Sequence, residues 1–581
     1  MSLNLPSSEE NAKNIRAATV SRRSHRTWAG TFYCAPELYL QPSSIDELKS
    51  IVVEAHRQKK RIMLTGSGHS PSDLTMTLPR GVTQSTGEWL VNLDRFNKPV
   101  SLTPAPEDAE NKETPARYTD VKLEAGIRIY QINDYLKTKN LAIQNLGSIS
   151  EQSVAGIIST GTHGSSAYHG LVSQQFVSLS VLIASGEIIE CSETQNPDLF
   201  RAALLSLGKI GIIVYATIRT VPAFTIHSKQ EVTTFDNFVD NLWGTFWTSS
   251  EYLRVWWFPY SNRVILWRAN KSTKPLSAPR DSWYGTTLGR LFYQFLLWVA
   301  VKVKPSLTPA IEKYVFNQQY GLEETYDVEG KASVAVQGSV EGLNMDCLFS
   351  QFVDEWGLPL KYGQKVLYKL REQILAAAKS GEYYVHAPIE VRCSNLTTVA
   401  PTDAPATTMK LLETVPAYNS ETPHIGSIPG NSLGPFLNPS PNDITYAPPI
   451  PGKVENDNLT LYLNATMYRP FGFDSPIDKW FRVFEDIVYE AGGKPHWAKN
   501  FLGNRELPEE EKAGVKRVGG IFGLGGKKVR YETDGQMRGL APQVGGWWGE
   551  DLESWKRVRK ENDPDDTFLS GANWAEINGL L

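Results

Sequence analysis

A short glycine- and serine-rich segment around one histidine is the first part of the sequence whose residue types could do chemistry. Residues 66–70 read Gly-Ser-Gly-His-Ser and follow an apolar run that ends at Leu64. Glycines let backbone N–H groups approach an anion closely and tolerate a positive φ, so the loop could hold a pyrophosphate with His69 at its tip. A simple glycine turn with an exposed histidine has the same pattern, and this segment alone leaves both interpretations open.

A second stretch of small and hydroxyl-bearing residues lies between residues 141 and 170. It contains Gly-Thr-His-Gly at 161–164, preceded by several serines and threonines. These residues are more crowded here than a surface loop requires. The stretch therefore predicts a second binding surface lined largely by backbone.

In the C-terminal half, a glutamate and an arginine lie two positions apart in an apolar stretch. Residues 389–392 read Ile-Glu-Val-Arg, which favours a strand, and the alternation of side chains then puts Glu390 and Arg392 on one face. A carboxylate accepts hydrogen bonds from hydroxyls and a guanidinium stabilises negative charge, so this pair could bind a polyol. A structural ion pair on a sheet is the alternative interpretation.

Several other chemistries are disfavoured. No GxGxxG follows the first predicted strand and no GxxxxGK[ST] is present, which argues against a Rossmann or P-loop site. The four cysteines are widely spaced and predict free thiols, with no metal-ligand pattern. The net charge of −4 gives no electrostatic case for nucleic-acid binding, and 581 residues with 41% apolar content predict a folded protein of about two to four domains.

The elements predicted around these residues give an α+β protein with two main domains. A strand, a helix capped by a serine and a second strand lead into the His69 loop, whereas aromatic strands dominate after about residue 221 and favour an antiparallel sheet. We therefore expect a polar N-terminal arm over residues 1–25 and a first domain over residues 26–220. A second domain would cover residues 221–544, and a C-terminal segment would cover residues 545–581.

Further predictions concern the helices and two insertions. We expect exposed insertions at 98–117 and 401–457. The apolar run within 287–303 is too short to span a membrane, but it could lie in a membrane interface, with a buried or partner-facing helix as the alternative. The helices expected in the second domain cover 287–303, 343–355, 363–378 and 475–491.

Taken together, these motifs resemble the aldonolactone oxidoreductase branch of the vanillyl-alcohol oxidase flavoprotein family. The resemblance rests on segments 66–70 and 161–164 and on His-Trp-Ala-Lys at 496–499, in that order. The tetrapeptide is the more specific part, because many flavoproteins share only the FAD-binding domain. The resemblance implies a PCMH-type FAD-binding domain, a substrate domain with an antiparallel sheet flanked by helices, and a C-terminal segment that returns to the FAD domain.

The resemblance also implies roles for individual residues. His69 would form a covalent 8α-N-histidyl bond with FAD, and Gly147 would be an oxygen gate because it lacks a methyl group, with a turn glycine as the alternative. The catalytic residues would be Glu390, Arg392, His496 and Lys499, and substrate contacts would add Ser148, Asn464 and Thr466. The other cofactor-binding residues would be Thr65, Gly66, Ser67, Gly68, Ser70, Ser148, Ser153, Gly156, Thr160, Gly161, Thr162, His163 and Ile212.

The implied activity is oxidation of the C2 hydroxyl of an aldono-1,4-lactone, and D-arabinono-1,4-lactone is the favoured substrate. The product would be an ascorbate-type compound (D-erythroascorbate), and O2 would be reduced to H2O2. Oxidation of another lactone (gluconolactone, L-gulono- or L-galactonolactone) or an alditol stays open, as does a catalytically silent flavin-binding or membrane-associated scaffold. We expect no metal, no nucleic acid and no defined protein partner. The expected location is intracellular, either cytoplasmic or at the mitochondrial outer membrane.

Overall fold

A computed structural model of the chain describes residues 8–21, 24–77, 87–105, 118–345, 347–396, 427–440, 459–503, 516–518, 528–530, 541–569 and 572–581. The helices are α1 Ser8–Ala18, α2 Ile45–Arg57, α3 Ile129–Thr138, α4 Val154–Ser159, α5 Pro197–Ala203, α6 Trp243–Phe246, α7 Thr287–Lys302, α8 Thr308–Tyr320, α9 Ser339–Leu343, α10 Gly363–Ser380, α11 Asp478–Glu490, α12 Ala541–Asn562 and α13 Ala572–Ile577. The strands are β1 His25–Arg26, β2 Tyr33–Cys34, β3 Leu38–Leu40, β4 Ile62–Thr65, β5 Trp89–Asn92, β6 Pro99–Pro104, β7 Thr119–Glu124, β8 Leu141–Ala142, β9 Phe176–Leu182, β10 Ile188–Ser192, β11 Ile212–Pro222, β12 Thr225–Thr234, β13 Tyr252–Phe258, β14 Arg263–Ser272, β15 Ser333–Gly338, β16 Gln351–Pro359, β17 Ile389–Ser394, β18 Thr460–Tyr468, β19 Lys494–Pro495, β20 Lys516–Val518 and β21 Lys528–Arg530.

Besides the two-stranded sheet of β1 and β2, the described strands before residue 223 form two larger sheets, which place the His69 loop. One is parallel with the order β3-β5-β4, and the other is antiparallel with the order β10-β9-β11-β7-β6. The helix α2 begins after Ser44, whose side chain accepts a hydrogen bond from the backbone N–H of Glu47, and it crosses between the parallel strands β3 and β4. The strand β4 then delivers the chain directly into the loop that carries His69.

A large antiparallel sheet follows from residue 225 onward. Its strand order is β15-β12-β14-β13-β17-β18-β16-β19, so that β17, β18 and β16 are neighbours. The register pairs Asn464 of β18 with Glu390 of β17 on one side and with Glu355 of β16 on the other. Because directly paired residues share a face of a sheet, these three polar side chains lie in one row across the strands.

The C-terminal helix α12 and the residues after it contact the N-terminal sheets. Arg557 forms an ion pair with Asp198 at 2.7 Å, and the indole N–H of Trp555 donates to the carbonyl of Leu205 at 3.3 Å. Further on, the carbonyl of Thr567 accepts from the backbone N–H of Ile62 at the start of β4. The end of the chain thus supports the strand that carries the His69 loop.

Two of the segments expected to be exposed are more structured than predicted. Within the expected N-terminal arm, α1 packs on α2, with Asn14 donating to Ser50 at 2.9 Å and Ala18 fully buried. Within the expected insertion 98–117, β6 pairs with β7 as an exposed edge strand, and residues 106–117 lie outside the described residues. Ala18 gains its burial from elements that follow the arm, whereas β6 stays exposed and gains only backbone pairing with the next strand along the chain.

The expected exposed loop 401–457 also needs correction, because residues 427–440 run through the interior. Phe436 and Leu437 are buried, and the amide of Asn431 donates to the carbonyls of Ser173 and Phe176 at 3.1 and 2.7 Å. These side-chain hydrogen bonds satisfy backbone carbonyls that burial would otherwise leave unpaired. The rest of the predicted loop lies outside the described residues.

The helix predicted over 343–355 is wrong. Residues from Gln351 onward form the strand β16, in which Asp354 and Glu355 are both fully buried. Because both faces of this strand are covered, it lacks the apolar–polar alternation that marks a strand with one face in solvent.

The helix α7 agrees with the helix predicted over 287–303. It buries Tyr293 and Leu297 and exposes Leu288, Phe292 and Phe295, the last three being spaced so that they share one face. In the part of the chain that the structure describes, no helix combines the length and the apolar character needed to cross a membrane.

The burial of segment 427–440 can be tested with a leucine truncation. Leu437→Ala removes a side chain with no solvent exposure, so we expect a loss of about 3 kcal/mol in the free energy of unfolding. Denaturant unfolding followed by tryptophan fluorescence measures it. Leu276, which is 72% exposed, supplies the control, and Leu276→Ala should change the free energy by less than about 0.5 kcal/mol. Equal, small effects of both variants would contradict the buried course of the segment.

Candidate active site

The His69 loop borders a cavity of about 90 Å³ between β4, the start of α4 and the start of β11. The amide of Asn92 holds the loop by donating to the carbonyl of Gly66 at 2.8 Å. A Cβ at Gly66 would lie 2.4 Å from the hydroxyl oxygen of Ser153, which already accepts from the N–H of Gly156. A side chain at position 66 would therefore fill the cradle, and the narrow passage suits a ligand that approaches backbone closely.

His69 is half-buried beside the indole of Trp28, with ring centroids 5.4 Å apart in a stacked arrangement. Its Nδ1 is buried without a hydrogen-bond partner among the described residues. Burial, with a smaller contribution from the charge of Arg128, lowers the pKa of His69 to about 4. The ring is therefore neutral at neutral pH and has a nitrogen lone pair available for bonding.

A larger cavity of about 510 Å³ adjoins the small one, and His69, Ser70 and Thr160 line both. This cavity brings together residues from the N-terminal loops and from the antiparallel sheet. Of the predicted site residues, the larger cavity is also lined by Gly147, Ser148, Thr162, His163, Glu390, Arg392, Asn464, Thr466, His496 and Lys499. The smaller one is also lined by Thr65, Gly66, Ser67, Gly68, Ser153, Gly156 and Ile212.

Gly161 is the one predicted site residue that lies outside both linings. It has a φ of +72° just after α4, and a Cβ there would meet the side chain of Leu205 at 2.9 Å. Its glycine is thus required by a left-handed backbone and by close packing. Gly147 differs, because its φ is not positive and a Cβ there would meet the methyl group of Thr162 at 2.7 Å.

Glu355 is the functional residue that the sequence analysis missed. It has no solvent exposure, and its two oxygens contact four side chains from separate parts of the chain. Oε1 lies 2.8 Å from His163 Nε2 and 2.8 Å from Arg392 Nη2, whereas Oε2 lies 2.8 Å from Lys499 Nζ and 3.3 Å from Asn464 Nδ2. Burial alone would raise the pKa of Glu355, but Lys499 and Arg392 outweigh it and hold this pKa well below the ordinary value.

The signal that could have found Glu355 is weak. The tetrapeptide Asp-Glu-Trp-Gly that contains Glu355 matches no recognisable motif, and the residues that contact Glu355 are distant in the sequence. Only the pairing of β16 with β18 puts it next to Asn464, whose amide oxygen in turn accepts from Thr466 at 2.8 Å. The helix predicted over 343–355 is incompatible with this strand pairing.

Glu390 and Arg392 lie on the same face of β17, as the alternation predicts. The distance from Arg392 Nε to Glu390 Oε2 is 3.4 Å, and Arg392 Nη1 donates to Ser148 at 3.4 Å. Burial would lower the pKa of Arg392, but Glu390 and Glu355 together raise it, so the guanidinium stays charged. Glu390 Oε1 has no hydrogen-bond partner among the described residues, which leaves a carboxylate oxygen available beside a fixed cation.

Two histidines complete the cavity wall. Burial lowers the pKa of His496 to about 3, and its Nδ1 accepts from the backbone N–H of Ala498, so its proton is on Nε2. His163 stacks on Tyr462 with ring centroids 3.6 Å apart, and its two nitrogens face Glu355 and the carbonyl of Gly164. Burial and the charge of Arg392 lower the pKa of His163 as well. His496 is therefore a neutral polar group, whereas His163 has an acceptor oxygen 2.8 Å from each ring nitrogen.

Comparison with protein families gives two matches along the chain. A family model described as D-arabinono-1,4-lactone oxidase matches residues 216–578, and one described as an FAD binding domain matches residues 36–192. The first covers the antiparallel sheet with Glu355, Glu390 and Lys499. The second covers the His69 loop and the residues of the small cavity up to Thr160, which fits the glycine cradle and the free histidine nitrogen found there.

Three curated relatives match nearly the whole chain, and each is named D-arabinono-1,4-lactone oxidase. The protein from Yarrowia lipolytica is 57% identical, with 98% of this chain and 100% of the relative covered. The protein from Candida albicans is 51% identical, covering 96% and 97%, and that from Saccharomyces cerevisiae is 48% identical, covering 96% of each.

Among solved structures, cholesterol oxidases share the fold. A solvent-stable cholesterol oxidase superimposes with a TM-score of 0.66 at 15% identity, covering 96% of this chain and 97% of its own. The cholesterol oxidase from B. sterolicum gives 0.66 at 13% identity, covering 100% and 99%. At these identities the likeness concerns the two-domain α+β architecture alone.

Proposed function

The chain belongs to the D-arabinono-1,4-lactone oxidase family, and from this premise we propose that it oxidises the C2 hydroxyl of D-arabinono-1,4-lactone. The observation that carries the proposal is a single cavity wall shared by His69, the pair Glu390–Arg392 and Lys499. The resulting 2-keto-lactone would enolise to the ascorbate-type product, D-erythroascorbate. Alditol oxidation and a catalytically silent scaffold gain no support from the relatives' names.

The chain is an FAD-dependent oxidoreductase, and its two cavities fit that cofactor. FAD, when bound, accepts two electrons from the substrate and passes them to O2, which leaves as hydrogen peroxide in our proposal. Gly66 and its neighbours in the small cavity would hold the pyrophosphate, because the absence of a side chain at Gly66 lets backbone approach a ligand closely there. Ile212, which is buried in the same lining, would contact the adenine end.

We propose that His69 forms the 8α-N-histidyl bond with FAD. Its low pKa, near 4, keeps the imidazole unprotonated, and the unpartnered Nδ1 shows that no protein group competes for at least one of its nitrogens among the described residues. A neutral nitrogen at the junction of the two cavities is the nucleophile that such a bond requires.

In the proposed reaction, charged and neutral groups divide the work on the lactone. Glu390 Oε1 accepts a hydrogen bond from a substrate hydroxyl and orients the ring. Arg392 and Lys499 would stabilise the negative charge that a bound flavin gains when it accepts the hydride from the substrate. His496 donates from Nε2, and Asn464 and Thr466 contribute further polar contacts along the wall.

We propose that the protein is intracellular and contacts a membrane surface through α7. Its compartment would be the mitochondrial outer membrane or the cytoplasm. Leu288, Phe292 and Phe295 are 81%, 44% and 48% exposed on one face of this helix. The exposed Lys302 and Lys304 follow at its C-terminal end. Apolar side chains next to cations are typical of a helix that lies in an interface.

The role of Glu390 predicts a large loss of turnover without loss of cofactor. Glu390→Gln removes the acceptor charge but keeps the shape, so we expect kcat to fall about 100- to 1,000-fold with FAD content unchanged. Steady-state oxygen consumption with D-arabinono-1,4-lactone measures it, and an alditol is tested in parallel. Glu341→Gln, on an exposed position of α9, is the control. Wild-type turnover in Glu390→Gln would exclude the role, and faster alditol oxidation by the unmodified enzyme would exclude the substrate.

The oxygen gate can be tested by adding one methyl group. Gly147→Ala must displace the methyl group of Thr162 in the cavity wall, so we expect kcat/KM for O2 to fall about tenfold while kcat/KM for the lactone changes little. The rates are measured at several oxygen concentrations. Gly244→Ala, whose Cβ meets nothing within 4 Å, is the control and should behave as wild type. Unaltered oxygen dependence in Gly147→Ala would remove the gate.

The covalent bond predicts that the flavin stays with the denatured polypeptide. After acid precipitation, we expect yellow fluorescence in the wild-type pellet and on the proteolytic peptide that contains His69. His69→Ala should release any flavin into the supernatant, whereas His56→Ala, at an exposed position on α2, should retain it. Flavin free in the supernatant of the wild-type protein would refute the bond.

Membrane contact through α7 predicts binding that depends on lipid charge. Phosphatidylcholine vesicles with phosphatidylserine should bind the purified protein more tightly than vesicles without it, because of the lysines at the end of α7. Phe295→Glu should weaken the binding in a flotation assay, and Val100→Glu on the exposed strand β6 should not. Equal flotation of both variants would show that α7 is not the contact.

A further inference from the structure

Arg392 lies between two carboxylates, and only one of them holds it firmly. Its Nη2 donates to Glu355 Oε1 at 2.8 Å, whereas its Nε is 3.4 Å from Glu390 Oε2 and makes no hydrogen bond in the described part of the chain. A guanidinium beside a free carboxylate would normally form two parallel hydrogen bonds with it. The contact with Glu355 therefore turns the guanidinium away from the bidentate arrangement with Glu390.

Lys499 is held in the same way. Its ammonium lies 2.8 Å from Glu355 Oε2, and the backbone N–H of His496 donates to the carbonyl of Glu355 at 2.8 Å. Side chain and backbone of one residue thus fix both ends of the segment 496–499. The amide of Asn464, which bridges β16 and β17 in the sheet register, contacts the same oxygen as Lys499.

The consequence concerns Glu390. With Arg392 and Lys499 both bound to Glu355, Glu390 Oε1 keeps no partner among the described residues although that oxygen is buried. A buried, unpartnered carboxylate oxygen costs free energy unless a ligand satisfies it, and a hydroxyl of a polyhydroxylated lactone would do so. Glu355 itself is fully buried and surrounded by its partners, so it does not serve as the acceptor.

We propose that Glu355 is a positioning residue, which holds Arg392 and Lys499 so that Glu390 stays free to accept a substrate hydroxyl. This inference rests on the proposed lactone oxidation. Glu355 acts through Arg392 and Lys499 and does not touch the substrate. The groups that face it are His163, His496, Arg392, Lys499, Asn464 and Tyr462.

The first test separates charge from shape. Glu355→Gln keeps the size of the side chain but not its charge, and Glu355→Asp keeps the charge on a shorter side chain. A positioning role through ion pairs predicts that Gln lowers kcat about 100-fold and that Asp recovers about tenfold of that loss. A role in packing alone predicts the reverse order, with Gln close to wild type, and that order would overturn the proposal.

The control uses the neighbouring acid on the opposite face of β16. Asp354 is equally buried, accepts from the indole N–H of Trp356 at 3.1 Å, and does not contact the cavity wall. Burial and Glu485 raise the pKa of Asp354 well above its ordinary value, and Asp354→Asn keeps the size of the side chain and an oxygen that can accept from Trp356. We expect its kcat to stay within about twofold of wild type. A 100-fold loss in this control would attribute the effect of Glu355 to the strand and overturn the proposal.

A double-variant cycle tests whether Glu355 acts through Lys499. If it does, Glu355→Gln combined with Lys499→Met should lose little more than the worse single variant, because the second change removes an interaction that is already broken. Losses that multiply would show that the two residues act independently, which would contradict the inference.

The final test does not depend on turnover. A crystal structure of Glu355→Gln should show Arg392 in a bidentate ion pair with Glu390, in which the guanidinium donates to Oε1 of Glu390 as well as to Oε2. Arg392 unmoved and Glu390 Oε1 free would overturn the inference, even for a variant of low stability. If wild-type protein fails to oxidise the lactone, the proposed function fails, whereas the position of Arg392 in this variant still decides the role of Glu355.

Discussion

A carboxylate with no solvent exposure can remain ionised only where cations and hydrogen-bond donors surround it, and Glu355 imposes this constraint on the whole site. Loss of one partner from such a buried group leaves an uncompensated charge, at a cost of roughly 3–5 kcal/mol. His163, Arg392, Asn464 and Lys499 must therefore all be in place together. These partners come from four separate segments, so the charge ties the antiparallel sheet to the loop that follows α4.

The sheet register explains how such a cluster can be built with little freedom. Trp256, Glu390, Asn464 and Glu355 occupy one row across β13, β17, β18 and β16. A shift of one residue in any strand would move its member of the row to the opposite face. Because the apolar side chains of these strands are buried, the core that fixes the register also fixes the geometry of the charges.

Sequence patterns predicted the parts of the site that are local and missed those that depend on long-range pairing. The His69 loop follows its strand directly, and Glu390 and Arg392 share a face through simple alternation, so both could be read from adjacent residues. Glu355 could not, because β16 pairs with a strand more than 100 positions later and is covered on both faces. The same limit explains the buried segment 427–440 and the helix α1, whose buried residues contact segments that are distant in the sequence.

The cholesterol oxidases show what the fold alone determines. They share the architecture at a TM-score of 0.66 with 13–15% identity, so the backbone arrangement persists while most side chains differ. A fold-level likeness thus gives the arrangement of the sheets but not the chemistry of the cavity wall. That chemistry depends on the polar row of the antiparallel sheet, where two carboxylates and two cations stand within contact of one another. Because Glu355 binds both cations, the two carboxylates are not equivalent: Glu355 is surrounded by protein partners, whereas Glu390 keeps one oxygen without a partner among the described residues.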